Sequence, residues 1–439
     1  MQIDPDSSPS PQAAELNYVI KGANPYVFDM LSPKGRRIFF PTAGILAQTA
    51  QAAGAGINAT IGTALDDAGA AMQLSSVASQ LSGGAEGILS YAPNLGKPEI
   101  RSAWRGMLLE KNPSLRPDGL SLPIVTSGLT HGLSAAAYLF LDGGDAVITP
   151  DLFWENYNLL FAYAYGATLD TFPMFNGSNG FNAGAMRDKL FRGPPGKRIV
   201  VLNFPNNPTG YTPTVAEAKA IVGVIVEAAD RGNNIVALID DAYFGLVFEE
   251  GIIKESIFSM LAGAHERVLA VKIDGPTKED YAWGIRVGFV TFGTARGGAA
   301  FYKAMESKLG GSIRGSTSSA SNVGQTLLLN AYRSPDYESE KGEKYRILLR
   351  RYTKIKDILN NRKEYAEYIR PLPFNSGYFL CLRVLSGKAE EVRLILLEKY
   401  DTGVIALGDL LRVAFSSTPY EQLEKLFDNI YMAAREVSG

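Results

Sequence analysis

The sequence predicts an α/β protein, with a mostly parallel sheet in a large domain and a second, smaller α+β domain. Two observations carry this. Between about residues 75 and 295, short and nearly continuous apolar runs (KRIVVLNFP, NIVALIDD, RVLAVKID) alternate with helical patterns such as TVAEAKAIVGVIVEAAD. Strands that are apolar on both faces, separated by helices, belong to a parallel sheet covered on both sides. From about residue 330 the texture changes to one long charged amphipathic helix, then strand, helix and strand.

In chain order, residues 1–38 read as an arm, with a Pro/Ser-rich start and then ANPYVFDMLS, a candidate helix. Residues 39–70 are assigned to the smaller domain; INATIG within them reads as a short strand ending at a glycine turn. Residues 71–329 form the large domain. Its elements are the strand and turn SLPIVTSG, the helix THGLSAAAYLFL, and the strands DAVITP, ATLDTFPM and VGFVTFG beside those already named. Residues 330–439 complete the smaller domain. Its strands are FNSGYFLCLRV and LLRVAFSS, its helix is GKAEEVRLILLEKY, and a last helix opens at Thr418-Pro419-Tyr420-Glu421, which reads as a capping box.

The composition excludes several function classes. The 439 residues are 46% hydrophobic and 20% charged with a net charge of -2, so nothing points to a nucleic-acid or membrane-surface partner. The start of the chain lacks a signal-peptide pattern and no run is long and apolar enough to span a bilayer. The single cysteine, Cys381, allows no intrachain disulfide and favours a cytoplasmic setting. With only two histidines, His131 and His265, a multi-histidine metal site cannot be assembled, and no metal is expected. Proton transfer must then fall to lysine, tyrosine or carboxylates.

Ligands of parallel sheets sit at the carboxyl ends of the strands, and the loops there carry a distinctive series. Gly128-Leu129-Thr130 opens a helix whose N–H groups suit an anion; most helix starts bind nothing. Trp154 offers a flat ring that either stacks on a planar ligand or fills the core. Asn207-Pro208-Thr209-Gly210 is either a plain turn or a turn aiming an amide at a ligand oxygen. Asp240 ends a strand three residues before Tyr243; it caps a helix or pairs with a protonated ring nitrogen. Lys278 sits on a Gly-Pro-Thr turn, and Arg286 follows eight residues later. An amine for imine chemistry and a guanidinium fork for phosphate are what a phosphate-bearing aldehyde cofactor needs.

In this order the motifs resemble the class I/II aminotransferases, the aspartate-aminotransferase-like enzymes of pyridoxal 5'-phosphate (PLP) fold type I, over about residues 57–418. The resemblance implies a seven-stranded central sheet and a homodimer with shared active sites. It also implies that Lys278 is the Schiff-base lysine, Asp240 the pyridinium partner, and Asn207 and Tyr243 the holders of the ring's 3-oxygen. Trp154 matches the stacking aromatic. Gly128, Leu129, Thr130 and Arg286 match the phosphate site, with Tyr91 reaching the partner subunit's phosphate. Gly62 and Arg412 match the groups around the substrate carboxylate, which a guanidinium grips bidentately. One position departs from the family: Gly275 stands where a phosphate-binding serine is common, and a hydroxyl appears instead at Thr277. Arg314 aligns with an arginine that binds a distal carboxylate across the dimer. It serves that role or makes a backbone or surface contact at the start of the SSASNVGQ helix.

The implied function is transamination between an L-amino acid, dicarboxylic or aromatic, and a 2-oxo acid such as 2-oxoglutarate, in amino acid metabolism. A PLP lyase, decarboxylase or synthase would use the same lysine and aspartate. A PLP-binding transcription regulator would need a DNA-binding domain, for which a 38-residue arm has no room.

Overall fold

The computed structural model describes residues 90–438 throughout, and before them residues 51–60, 64–70 and 72–79 with a few positions between 10 and 49. Most of the arm, including ANPYVFDMLS, and Gly62 lie outside the described residues. After a short strand β1 (Ile57–Asn58), seven strands build the large sheet: β2 (Ile124–Thr126), β3 (Ala146–Pro150), β4 (Thr168–Phe172), β5 (Lys197–Asn203), β6 (Asn234–Asp240), β7 (Val268–Asp274) and β8 (Gly288–Gly293). Their spatial order is β2-β8-β7-β6-β5-β3-β4, and only β8 runs against its neighbours.

The alternation of side chains along each strand explains the continuous apolar runs. Strand β5 illustrates the rule. Ile199 and Val201 enter one core with Leu133 and Ala136 of the helix Leu129–Phe140, whereas Val200 and Leu202 enter another with Ala218 and Ile221 of the helix Val215–Asp230. The second helix starts at a full capping box between Thr214 and Glu217. Both sheet faces are therefore covered, and the chemistry is left to the strand ends.

The smaller sheet is antiparallel. It contains β9 (Ile369–Pro371), β10 (Phe379–Val384), β12 (Ile405–Leu407) and β13 (Leu410–Ala414), while β1 pairs in parallel with β11 (Thr402–Gly403). Ile57 and Ala59 share a core with Leu380, Val413 and Leu423, so chain from both ends meets there. The helix Tyr337–Asn361 connects the two bodies. Its Tyr337 and Leu348 pack in a large-domain core, and its Tyr352, Ile355 and Ile358 pack in the small one.

One expectation is corrected. Thr418 caps no helix: its hydroxyl donates back to the Ala414 carbonyl at 3.2 Å, and the last helix, Leu423–Ser438, begins after a 3-10 turn at Tyr420–Gln422. Arg314 makes a surface contact to the SSASNVGQ segment, donating to Ser318 Oγ at 2.7 Å. It lies in the last turn of the helix Ala299–Ser316, and the next helix starts at Asn322 with Ser321 as its cap. The glycines of AAFYKAMESKLGGSIRGS mask that helix in the sequence.

Candidate active site

The ends of β2, β3, β5, β6 and β7 converge on one cavity. Leu129, Thr130, Trp154, Asn207, Asp240, Tyr243 and Lys278 all line it, together with Leu133, Asn203 and Ala242. A larger hollow of about 1030 Å³ beside Tyr281 and Trp283 is mostly apolar and holds no free amine, so size does not mark the chemistry.

Lys278 is placed by its turn. β7 runs into Gly275, and Pro276 opens the single helical turn Pro276–Glu279. A side chain at 275 would bring its Cβ to 3.0 Å from the Gly288 Cα and the Val287 carbonyl oxygen, so a serine there needs the facing backbone to give way. Thr277 follows two residues later. Its Oγ1 is buried without a hydrogen-bond partner among the described residues. The Lys278 carbonyl accepts from the Tyr378 hydroxyl at 2.9 Å, and its Nζ lies 5.0 Å from the Tyr243 ring centroid. Burial pushes the Lys278 amine down to about 8; Asp240 opposes this and the Arg286 charge adds to it. The nearby Lys272, by contrast, is fully buried between Asp241 and Asp274, 3.1 Å from the latter. It is locked in ion pairs and has no access to the cavity.

Asp240 ends β6 and is held as an anion acceptor. The Tyr157 hydroxyl donates to its Oδ2 at 2.6 Å and the Ala242 N–H to its Oδ1 at 3.2 Å. Burial raises its carboxyl above the usual range, while Tyr157, Lys278, the Ala242 N–H and Lys272 pull it back. Burial likewise raises the Tyr243 phenol, with Arg412 opposing. Asn207 follows β5, its N–H donating to Asn203 Oδ1 at 2.8 Å, within a turn whose Phe204-Pro205 and Asn207-Pro208 peptides are cis. The Gly210 carbonyl accepts from the Asn375 and Ser376 N–H groups, docking this turn on the smaller domain.

Arg412 comes from β13. Its Nη2 donates to the Thr60 carbonyl at 3.1 Å, its Nη1 reaches Asn207 Oδ1 at 3.5 Å, and it lies 4.5 Å from the Phe379 ring centroid. Its Nε is buried with no partner among the described residues. Burial lowers its affinity for its proton below the ordinary guanidinium value.

Gly128 caps the helix Leu129–Phe140 at φ 82, and Arg286 sits against it: a Cβ on Gly128 would collide with Arg286 Nη2. A helix start and an arginine thus stand beside Gly275 at the head of the lysine turn, donors that fit phosphate. His131 is half-buried and structural, accepting from the Ser127 N–H at 3.1 Å and pairing with Ser316 Oγ at 3.0 Å. Tyr91 is 90% exposed and touches no part of this cavity. Arg314 is also exposed and outside it, donating to Ser318 Oγ at 2.7 Å.

Three residues escaped the sequence reading. Tyr157, the partner of Asp240, stands three residues after Trp154 on a helical turn and so had a local signal. Asn203 and Tyr378 had none, because each acts through a contact that only the fold creates. Glu155, next to Trp154, is exposed, forms no ion pair among the described residues, and its charge is felt by Arg412.

The family profile described as "Aminotransferase class I and II" matches residues 56–430. A probable N-acetyl-LL-diaminopimelate aminotransferase of Bacillus subtilis is 30% identical over 47% of this chain and 48% of its own length. An aspartate/prephenate aminotransferase of Thermus thermophilus is 32% identical over 47% of this chain and 49% of its own. The chain spans about half the length of the curated relatives it matches. An aminotransferase structure from Anaerococcus prevotii superposes with a TM-score of 0.81 over 92% of this chain and 99% of that one, at 23% identity, and so shares the fold.

Proposed function

The chain belongs to the class I and II aminotransferases, and from that premise we propose that it is a PLP-dependent enzyme moving an amino group between an L-amino acid and a 2-oxo acid. The observation that carries this is the convergence of Lys278, Asp240, Asn207 and Tyr243 on one cavity, with Arg412 reaching Asn207 and the Lys278 amine at about 8. Lys278 would carry the cofactor. Gly128, Leu129, Thr130, Thr277 and Arg286 would hold its phosphate, Trp154 its ring face, Asn207 and Tyr243 its ring oxygen, and Asp240 its ring nitrogen.

When bound, PLP supplies an electron sink for the bond broken at the substrate Cα. Arg412 binds and orients the substrate α-carboxylate. Lys278 Nζ, once freed, takes the Cα proton and later returns it; an amine at about 8 is basic enough at neutral pH without being fully locked as a cation. Tyr157 and the Ala242 N–H favour the ionised form of Asp240, which would keep a cationic partner protonated. The surrounding Trp154, Leu129 and Leu133 exclude water.

For the substrate, one reading is a dicarboxylate pair such as glutamate and 2-oxoglutarate, with Arg314 and Tyr91 contributed across a homodimer. Both are exposed and free to meet a second copy. A second reading follows from Glu155, whose unpaired carboxylate would disfavour a distal carboxylate and suit a neutral, aromatic or cationic donor. A donor screen with Arg314→Ala and Glu155→Gln separates them: selective loss of acidic donors in the first supports dicarboxylates, and improved use of acidic donors in the second supports the other. The division into large and small domains near residues 71 and 330 and a cytoplasmic setting belong to the same proposal. Among the described residues no helix is long and apolar enough to cross a membrane. The activity itself is tested by incubating the protein with an amino acid and 2-oxoglutarate: stoichiometric glutamate is expected, and a product formed without it would indicate a lyase or decarboxylase.

A further inference from the structure

The lysine at the centre of the site is followed by two acids, and both are buried. Glu279 and Asp280 have side chains only 6% and 0% exposed. Buried carboxylates persist as anions only when charges and hydrogen bonds compensate them. The compensation comes from far away in the sequence. Lys111 Nζ lies 2.6 Å from Glu279 Oε1. Lys341 Nζ lies 2.8 Å from the same oxygen and 3.0 Å from Asp280 Oδ1. Asp280 also accepts from the Tyr337 hydroxyl at 2.8 Å and the Tyr332 hydroxyl at 3.1 Å. Among the described residues, Lys341 is the one cation paired with Asp280.

Lys341 belongs to the second turn of the helix Tyr337–Asn361, whose far half packs in the smaller domain. Its ammonium therefore ties the residues directly after Lys278 to the helix that joins the two domains. The other anchor of Lys278, the Tyr378 hydroxyl on its carbonyl, also comes from beyond that helix.

We propose that Lys341 is a positioning residue for Lys278: by clamping Glu279 and Asp280 it fixes the lysine turn and cancels the negative charge beside the amine. The inference rests on the reading of Lys278 as the reactive amine. The charges that act on that amine are Asp240 from β6 and Arg286 from the loop before β8, with the Tyr243 ring 5.0 Å away; Glu279 and Asp280 are the next residues of its own turn and its end. Removing Lys341 leaves Lys111 alone against two carboxylates. The net negative charge that results favours the protonated amine, so the amine's titration moves upward.

The test uses the purified holoprotein with Lys341→Met, Lys341→Arg, Asp280→Asn and the double variant Lys341→Met/Asp280→Asn. The pH midpoint of the bound cofactor's visible spectrum and the pH profile of kcat are read beside the thermal midpoint. Lys341→Met is expected to move the spectral midpoint and the acid limb of kcat upward by about one pH unit, with a smaller change in KM for the amino donor. Lys341→Arg keeps the charge and is expected to restore both. The double variant removes one negative charge with the positive one and is expected to return the midpoint toward wild type, while Asp280→Asn alone removes only a negative charge and is expected to move the midpoint downward, a readout that stands if Lys341→Met fails to fold. A midpoint unchanged in Lys341→Met and in Asp280→Asn alone, whatever their thermal stability, would overturn the proposal. A wild-type protein that binds no PLP would instead overturn the reading of Lys278 on which it rests.

Discussion

Tyr157→Phe isolates one hydrogen bond at the centre of the site. The hydroxyl donates to Asp240 Oδ2 at 2.6 Å, and both groups are buried. The phenylalanine ring keeps the packing, since Tyr157 already contacts Phe153, Trp154 and Phe161 at centroid distances of 6.2, 5.8 and 5.4 Å. What is lost is a hydrogen bond to a charged acceptor, worth about 1.5–3 kcal/mol. At about 1.4 kcal/mol per pKa unit, the Asp240 carboxyl should rise by about 1–2 units. The sign follows from which form the donor favours. Burial already raises this carboxyl and Tyr157 lowers it, so removing the donor extends the rise. Asp240 is then protonated, and loses its hold on a cationic ring, at higher pH than in the wild type. The acid limb of kcat/KM should move up by about 1–2 pH units, while activity well above the limb changes little. A pH series on the two proteins, with PLP affinity measured at each pH, checks this. An unmoved acid limb in a folded variant would refute the role given to Tyr157 and the need for an ionised Asp240.

Other positions give sharper local outcomes. Thr277→Val removes a hydroxyl that has no partner among the described residues, so PLP affinity should fall about tenfold, about 1.4 kcal/mol, with no loss of thermal stability; a large stability loss would mean the hydroxyl serves the fold. Gly275→Ser places a Cβ 3.0 Å from backbone atoms and should cost about 1–3 kcal/mol, read from denaturant unfolding; an unchanged midpoint would show that the loop yields. Arg412→Lys keeps the charge but loses the fork, and KM for amino acid and 2-oxo acid should rise together by about 10–100-fold. A rise confined to one of the two substrates would remove Arg412 as the common carboxylate anchor.

The fold was legible where burial writes itself into local pattern. Strands β5, β6 and β7 are covered on both faces, so their apolar runs stand out, and Thr214 to Glu217 announces the next helix. The site was legible because its residues follow strand ends at fixed local motifs. Less visible was whatever depends on contacts across the chain. Asp240 and Tyr157 are 83 positions apart, and Glu279 meets Lys111 and Lys341 across 168 and 62 positions. No periodicity encodes such pairs. The Thr418 segment shows the opposite failure: its local pattern matched a cap, but its hydroxyl found the Ala414 carbonyl first. Gly275 was visible as a missing serine, while its cause, the approach of the 287–288 backbone, required the sheet.

The central claim is that Lys278, and no other amine, carries the cofactor. Borohydride reduction of the purified protein loaded with PLP, followed by peptide mass mapping, tests it directly. The account predicts the reduced cofactor's mass on the peptide containing Lys278, and none on Lys272, whose Nζ is enclosed by Asp241 and Asp274. The label on any other lysine, or a Lys278→Ala variant that folds and still turns over at the wild-type rate, would contradict it.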